Sequence, residues 1–364
     1  MPRAKRILIS GYYGLSNAGD EAVLSAIIAG IRERSDAEIT VLSASPAATS
    51  ARHEVKALPR MSPARVRKAV RECDLFISGG GSLLQDATSF KSLAYYLLVI
   101  ALAKRYRRKV MLLGQGIGPL RRSISRRLTA RTLSGVDLIA VRDPQSAELL
   151  RELGVKSRIE VTADPTFALD PCPADEYSRL WRALGFGDGD DVLAVSLRGW
   201  PGRDVERHAS EALAEIAQEL PVKLLLVAMH SPDDEALARR VADSLEMPDR
   251  IAVQPEEWSG EQLLGVLGRC VFAIGMRLHA LIFAAAAGVP SLGIEYDPKV
   301  EQFVKATGQA GIPLSEVSAG RLGEDAISAW SRRAELAARL PERIERMRKG
   351  AEENFRLAVE LLGE

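Results

Sequence analysis

At 364 residues the chain is too long for one ordinary hydrophobic core, so two α/β domains are the first expectation. Its longest apolar run, residues 93–103, is far short of the roughly 20 residues that a membrane-spanning helix needs, which excludes an integral helical membrane protein. The three cysteines are far apart and match no metal-ligand spacing, and no signal-peptide core precedes the first predicted strand. The sequence therefore predicts a cytoplasmic protein.

The net charge of +1 hides an asymmetry between the two halves of the chain. Residues 1–170 hold 27 Lys/Arg and 16 Asp/Glu, a balance of +11, whereas the remainder holds 22 against 32, a balance of −10. This indicates an N-terminal half that meets something anionic, although a chance distribution over solvated surfaces explains the counts equally well. The basic runs near Arg65, Lys104 and Arg121 lack the interleaved aromatic residues of a nucleic-acid platform, so no nucleic-acid partner is predicted.

Short apolar runs alternate with helical patterns, which predicts two doubly wound parallel sheets. The predicted strands are residues 6–10, 39–42, 75–78, 110–113, 138–141 and 159–162 in the first half, and 192–197, 223–229, 251–253, 271–275 and 291–294 in the second. Residues 79–86 and 114–119 are glycine-rich segments that follow predicted strands, residues 171–173 are a predicted linker, and residues 281–287 a predicted buried helix. The predicted domains are 1–170, 175–320 and a C-terminal helical segment, 325–364, that would bridge the two.

Two glycine-rich turns follow strands of the first half. The turn at residues 11–20 opens a helix and aims backbone N–H groups at an anion, but its spacing matches neither the dinucleotide fingerprint nor a P-loop. Asn17 and Asp20 in this turn fit either ligand contact or helix capping. The second turn either admits a ligand to the bare backbone or needs a positive φ, and it consists of Gly79, Gly80 and Gly81.

Basic side chains follow four predicted strands of the second half: Arg198, His230, Arg277 with His279, and Lys299. Ligands of open α/β sheets bind at the carboxyl ends of the strands. A guanidinium, an imidazole and an ammonium suit a small ligand with both phosphate and carboxylate. A structural histidine is the ordinary alternative, but the neighbouring Arg277 and Lys299 favour a functional His279.

No metal site is predicted, because the histidines are scattered and form no ligand pattern. His53 and His208 lie in polar stretches and are predicted to be surface residues.

Five motifs occur in order between residues 11 and 299. They are Gly11-Tyr-Tyr-Gly-Leu-Ser-Asn-Ala-Gly-Asp-Glu21, Ser78-Gly-Gly-Gly-Ser-Leu-Leu-Gln-Asp86, Gly114-Gln-Gly-Ile-Gly-Pro119, Arg142-Asp143, and Met276-Arg-Leu-His279 with Asp297-Pro-Lys299. Together they resemble the polysaccharide pyruvyl transferases, most closely the bacterial cell-wall branch CsaB, over roughly residues 5–305.

The resemblance implies a GT-B-like fold, with two Rossmann-like domains facing across a cleft. It implies transfer of the pyruvyl group of phosphoenolpyruvate, the donor, to a saccharide diol, giving a cyclic pyruvate ketal and phosphate, with no further cofactor. In the cell-wall branch the acceptor is thought to be N-acetylmannosamine of a secondary cell-wall polysaccharide. S-layer homology domains then recognise the acidic ketal.

The resemblance also implies roles for single residues. Arg277, Leu278 and His279 would bind phosphoenolpyruvate, with Lys299, Arg198 and His230 as further contacts. His279 would protonate the methylene carbon of the donor, and a purely phosphate-binding His279 is the alternative. Asp20 or Asp86 would accept the proton of the acceptor hydroxyl. The other expected substrate contacts are Tyr12, Tyr13, Asn17, Arg142, Gly79, Gly80 and Gly81.

An acceptor linked to a lipid diphosphate would explain the basic N-terminal half, which is then expected to contact anionic lipid at the inner face of the membrane. The nearest alternative is a GT-B glycosyltransferase that uses a nucleotide sugar, although no base- or ribose-binding signature is evident. A non-catalytic saccharide-binding protein is the other alternative, and the intact set of Arg277, His279 and Lys299 argues against it.

Overall fold

A computed structural model describes residues 3–87 and 89–363 of the chain. The chain divides into two compact units, one drawn from Met1–Leu169 and Met347–Glu364 and the other from Asp170–Arg346. Each unit is α/β with a wholly parallel sheet, which confirms the predicted fold class. No helix in the described part of the chain is long and apolar enough to cross a membrane.

The N-terminal unit alternates strands and helices as the sequence predicts. Its elements are β1 Arg6–Ser10, α1 Ala18–Arg32, β2 Glu38–Ser43, α2 Pro46–His53, β3 Lys56–Pro59, α3 Pro63–Glu72, β4 Leu75–Ser78, β5 Gly81–Leu84, α4 Phe90–Arg105, β6 Lys109–Ile117, α5 Ser123–Leu133, β7 Leu138–Val141, α6 Pro144–Glu152 and β8 Ile159–Val161. The strand order is β3-β2-β1-β4-β6-β7-β8. Helices α3 to α6 cover one face of this sheet with a continuous apolar core.

Strand β6 is longer than predicted because two short strands pair with it in succession. Its first half pairs with β4, from Leu75 opposite Lys109 to Ser78 opposite Leu112. Its second half pairs with β5, where Gly81 lies opposite Gln115. The predicted end of this strand at residue 113 was therefore wrong, and β5 was not predicted. Glycine-rich sequence weakens strand propensity, and here the pairing overrides it.

The second unit also alternates strands and helices. Its elements are α7 Ala174–Ala183, β9 Val192–Ser196, α8 Val205–Glu219, β10 Lys223–Leu226, α9 Asp233–Leu245, β11 Ile251–Val253, α10 Gly260–Leu267, β12 Phe272–Gly275, α11 Leu278–Ala286, β13 Ser291–Glu295, α12 Pro298–Thr307, β14 Ala310–Pro313, α13 Ala319–Ser331, α14 Arg333–Ala338 and α15 Leu340–Leu362. Helix α15 continues into residues that belong to the N-terminal unit. The six strands lie in the order β11-β10-β9-β12-β13-β14. Helices α8, α9 and α13 enclose an apolar core against the sheet.

Residues 347–362, the later part of α15, belong to the N-terminal unit and complete its core. The fully buried Asn354 donates its side-chain N–H to the Ala163 carbonyl at 2.9 Å and accepts from the Thr162 hydroxyl at 2.8 Å. The ring of Phe355 fills the space beside Gly30, where a Cβ atom would lie 2.2 Å from it. Helix α1 therefore needs glycine at this position to pack against α15.

Candidate functional site

The four predicted basic positions of the second unit lie along one edge of its sheet. Strands β10, β9, β12 and β13 are consecutive neighbours and parallel, so their carboxyl ends meet at this edge. Each position follows one of these strands: His230, Arg198, Arg277 and Lys299. All four side chains are partly buried, which suits groups that face a ligand rather than open solvent.

Arg277 is fixed by the carboxylate of Asp234, which was not among the predicted site residues. Its Nε and Nη2 donate to the two oxygens of Asp234 at 2.7 and 2.5 Å. The side chain of Asp234 is 2% exposed, and it also accepts the backbone N–H of His230 at 3.1 Å. One edge of the guanidinium is thus occupied, and an anion would meet its Nη1 side. Asp234 holds the end of β10 and the end of β12 together.

His279 lies in the first turn of α11, for which Arg277 is the N-terminal cap residue. The sequence predicts this helix from residue 281, so His279 was expected before the helix and not within it. The Arg277 side chain has only N–H donors and makes no capping hydrogen bond to the first N–H groups of this helix. A helix N-terminus favours bound anions. Leu278 is buried and offers no polar side-chain group.

An aromatic pair joins two of the other cations. The Arg198 guanidinium donates to the Tyr296 hydroxyl at 3.4 Å, and its carbon lies 5.4 Å from the centre of that ring. Nζ of Lys299 lies 5.8 Å from the same ring and 3.7 Å from the Asp297 carboxylate. Trp200 packs against Tyr296 with ring centres 4.9 Å apart. Tyr296 and Trp200 were not among the predicted site residues, because neither has a motif of its own.

In the N-terminal unit, the three glycines after β4 are explained by contacts within the protein. A Cβ atom on Gly79 would lie 2.2 Å from the Tyr13 hydroxyl, and one on Gly80 would lie 2.7 Å from Val23. Gly81 has a φ of +81°, and a Cβ there would lie 2.7 Å from an Asp20 oxygen. A ligand is therefore not needed to account for the glycines, and their predicted ligand contact stays a prediction.

Tyr13 and Tyr12 differ in how they are presented. Tyr13 is 1% exposed, and burial raises the pKa of its phenol well above the ordinary value. The structure records no hydrogen-bond partner for the Tyr13 hydroxyl within the described residues. Tyr12 is partly exposed, so of the two it is the side chain that solvent or a ligand can reach.

A buried pair pins the turn between β1 and α1. The carboxylate of Glu21 accepts the Gly14 backbone N–H at 2.7 Å and lies 3.1 Å from Nε2 of His53. The prediction that His53 is a surface residue was wrong, because this residue is 6% exposed, and Glu21 satisfies its polar atom. Asn17 caps α1 through the N–H groups of Gly19 and Asp20. The capping role of Asn17 is thus confirmed.

Arg142 and Asp86 serve the fold of the N-terminal unit. Arg142 is 7% exposed in its side chain and donates to Asp164 at 2.8 Å and to the Ser82 hydroxyl at 2.9 Å. Asp86 accepts the backbone N–H groups of Arg121 and Arg122 at 2.7 and 2.9 Å.

The surroundings of Asp86 bear on its predicted role as a base. Burial alone raises the pKa of Asp86, but the backbone N–H groups and the Arg122 charge outweigh it and leave the pKa below its ordinary value. A carboxylate with both oxygens engaged is a poor proton acceptor, so Asp86 fits the predicted role of a base poorly.

One further residue of the N-terminal unit, Gln115, was not among the predicted site residues. Gln115, which is fully buried, donates to the Ser78 hydroxyl at 2.7 Å and to the Gly79 carbonyl at 2.9 Å. It fixes the step from β4 to β5, and its place within the Gly114–Pro119 motif was the available signal. Within residues 3–87 and 89–363, no group of three or more His, Cys, Asp or Glu side chains is arranged to hold a metal.

Comparison with known proteins gives the sequence a family. Residues 17–298 match the model of a family described as polysaccharide pyruvyl transferase. The amylovoran biosynthesis protein AmsJ of Erwinia amylovora is 21% identical over 366 residues, covering 85% of this chain and 86% of AmsJ.

Solved structures of low sequence identity share the fold. Anabaena Alr3699/HepE, solved in complex with UDP-glucose, has a TM-score of 0.67 at 15% identity, covering 98% of this chain and 99% of that one. The UDP-GlcNAc 2-epimerase of Methanocaldococcus jannaschii has a TM-score of 0.70 at 13% identity, covering 98% and 99%. These likenesses show a GT-B-type fold, as predicted.

Proposed function

The chain belongs to the polysaccharide pyruvyl transferase family, and we propose that it moves the pyruvyl group of phosphoenolpyruvate to two hydroxyls of one saccharide unit. The product is a cyclic ketal, and phosphate is released. The observation that carries this proposal is the basic edge of the second unit, where Arg277, fixed by Asp234, lies beside His279 at the start of α11. Phosphoenolpyruvate carries two anionic groups on three carbons and needs such a site.

The donor is assigned to this edge on charge and geometry. The N-terminus of α11 and Nη1 of Arg277 suit the phosphate. Lys299 and Arg198, which both lie near the Tyr296 ring, suit the carboxylate. No cofactor is required, because the enol phosphate itself supplies the driving force.

His279 is assigned the first chemical step. Its imidazole gives a proton to the methylene carbon of the donor, so that C2 becomes electrophilic. One sugar hydroxyl attacks C2 and loses its proton to a base, which we assign to Asp20. Phosphate then leaves, and the second hydroxyl closes the ring on C2 as its proton passes to the His279 imidazole, which gave up a proton in the first step. The alternative, a His279 that only binds phosphate, predicts a change in donor affinity without loss of the chemical step.

The acceptor is assigned to the N-terminal unit, with Tyr12, Asn17 and Asp20 at the carboxyl end of β1. On the sequence motifs, the acceptor is N-acetylmannosamine of a cell-wall polysaccharide carried on a lipid diphosphate, as in the CsaB branch, and its ketal would serve S-layer anchoring. Such an acceptor places the enzyme in the cytoplasm, in peripheral contact with anionic membrane lipid.

The test is a direct assay of transfer. Purified protein is incubated with phosphoenolpyruvate and an N-acetylmannosamine-containing acceptor, and the product mass and released phosphate are measured. The proposal expects ketal formation in wild type, and loss by about 100-fold or more in His279→Ala, the usual scale of a general acid. His208→Ala, which changes a histidine outside the site, is the matched control. Wild-type turnover in His279→Ala would exclude a catalytic role for His279.

The same assay decides between donors. Nucleotide sugars replace phosphoenolpyruvate in parallel reactions, and addition of a hexose mass to the acceptor would identify a glycosyltransferase instead. Sugar binding without reaction of either donor would identify a saccharide-binding protein.

A further inference from the structure

The positive charge of the N-terminal unit is concentrated in one stretch of chain. Residues 60–135 hold sixteen Lys/Arg and three Asp/Glu, a balance of +13 that exceeds the +11 of the first 170 residues. This stretch contains α3, α4 and α5, which pack side by side with α4 in the middle and cover one face of the sheet. We refer to the solvent side of these three helices, with the loops at their ends, as the basic face.

Many cations of the basic face have no carboxylate to neutralise them. Lys68, Lys109 and Arg126 lie within 4.0 Å of an acidic side chain. Helices α4 and α5 contain no acidic residue, and α3 contains only Glu72. Within the described chain, no salt bridge is recorded for these exposed arginines: Arg65, Arg67, Arg71, Arg105, Arg127 and Arg131. The charge of this face is therefore available to an outside partner.

Helix α4 presents an apolar strip in the middle of this face. Its solvent side carries Leu98, which is 68% exposed, flanked by Ala94 and Ala101 at helical spacing. Lys91 and Arg105 stand at the two ends of the strip. An exposed apolar strip with cations around it is typical of helices that lie in the interface of a bilayer.

Two more exposed apolar side chains lie at the end of the face nearest the proposed acceptor residues. Met61, 76% exposed, follows β3, and Ile124, 46% exposed, is in the first turn of α5. The starts of α4 and α5 are adjacent, since the Arg122 guanidinium lies 5.6 Å from the centre of the Phe90 ring. These helices begin at the carboxyl edge of the sheet, the same edge that carries Tyr12.

We propose that the basic face docks on a bilayer that contains anionic lipid, with Leu98, Met61 and Ile124 entering the headgroup region and the surrounding arginines contacting lipid phosphates. We assign anionic lipid as the partner because its charge is complementary to the basic face and because the face has an aliphatic centre, which a nucleic acid would not require. It deepens the proposed function, because the docked face would bring the acceptor edge towards a lipid-linked saccharide.

The test uses the full-length protein and vesicle sedimentation. Phosphatidylcholine vesicles with and without phosphatidylglycerol are titrated at low and high salt. We expect binding only to the anionic vesicles and loss of that binding at high salt. Arg127→Gln together with Arg131→Gln should weaken binding by about fivefold for each charge removed. Leu98→Gln, which leaves the charge unchanged, should also weaken it several-fold.

A matched pair of variants controls for net charge. Arg179→Gln with Arg182→Gln removes two exposed arginines from α7 in the second unit and should bind vesicles like wild type. If both double variants lost vesicle binding equally, total charge alone would drive binding, and the proposal would fail. It would also fail if Leu98→Gln bound like wild type, or if a DNA duplex bound more tightly than the anionic vesicles.

The two proposals fail in different ways. If the basic face docks on lipid, the Arg127/Arg131 variant keeps wild-type transfer to a short water-soluble acceptor and loses transfer to a vesicle-borne one. Absence of transfer to every acceptor, with vesicle binding intact, would overturn the proposed function and leave the docking surface standing. Transfer to vesicle-borne acceptor that is unchanged in the variant would overturn the docking surface alone.

Discussion

At the scale of single residues, the pair of Arg277 and Asp234 sets the geometry of the proposed donor site. Asp234→Asn removes the charge that fixes the guanidinium, so we expect the KM for phosphoenolpyruvate to rise by about tenfold or more, and the thermal midpoint to fall because a buried pair is broken. Asp233→Asn is the matched control, since Asp233 is the preceding residue and is exposed. Equal KM values for the two variants would show that Asp234 does not position Arg277.

Asp86 gives a pH-dependent test of its structural role. Its pKa is lower in the folded protein than in the unfolded chain, so its stabilisation is complete above the ordinary aspartate pKa and is lost as the pH falls through the folded-state value. Asp86→Asn should lower the free energy of unfolding at neutral pH by about 1–3 kcal/mol, and the difference from wild type should shrink in acid. Urea unfolding at several pH values measures this, with the exposed Asp36→Asn as control. A difference that is constant with pH would contradict the assignment.

At the scale of elements, the step from β4 to β5 depends on the fit between Gly79 and Tyr13. Gly79→Ala places a methyl group on the Tyr13 hydroxyl and should cost about 1–3 kcal/mol of unfolding free energy. Adding Tyr13→Phe removes the clashing hydroxyl group, for which no hydrogen-bond partner is recorded in the described chain. The double variant should therefore recover most of the lost unfolding free energy. Gly189→Ala, in open space, should be nearly neutral. A double variant as unstable as Gly79→Ala alone would refute this account.

The sequence predicted the alternating elements well where an apolar run was bounded by turn residues. Strands β1, β4, β7 and β11 were predicted with their observed bounds. Helix α11 begins three residues earlier than predicted, because its cap residue, Arg277, is not one of the Ser, Asp or Asn residues that signal a helix start in a sequence. The role of Asp234 was also beyond the sequence, since its partner Arg277 is 43 residues away.

At the scale of the whole molecule, the three cysteines report on how tightly both units are packed. All three are buried, and burial raises the pKa of the Cys73 and Cys270 thiols to about 12. Burial raises the pKa of Cys172 as well. We expect no labelling of native protein by iodoacetamide at neutral pH and labelling of all three thiols in denaturant, as read by mass spectrometry. Rapid labelling of any cysteine in the native state would contradict the packing.

The later part of α15 has a consequence for how the protein is made. Residues 347–362 emerge from the ribosome after the whole of Asp170–Arg346, yet they supply Ala351, Asn354 and Phe355 to the unit that was synthesised first. The N-terminal unit therefore cannot complete its core until synthesis of the second unit is finished. Until then, the groove that binds these residues stays open to solvent. Such a nascent chain has a long period in which chaperones, proteases or other chains can reach the uncovered surface of α1.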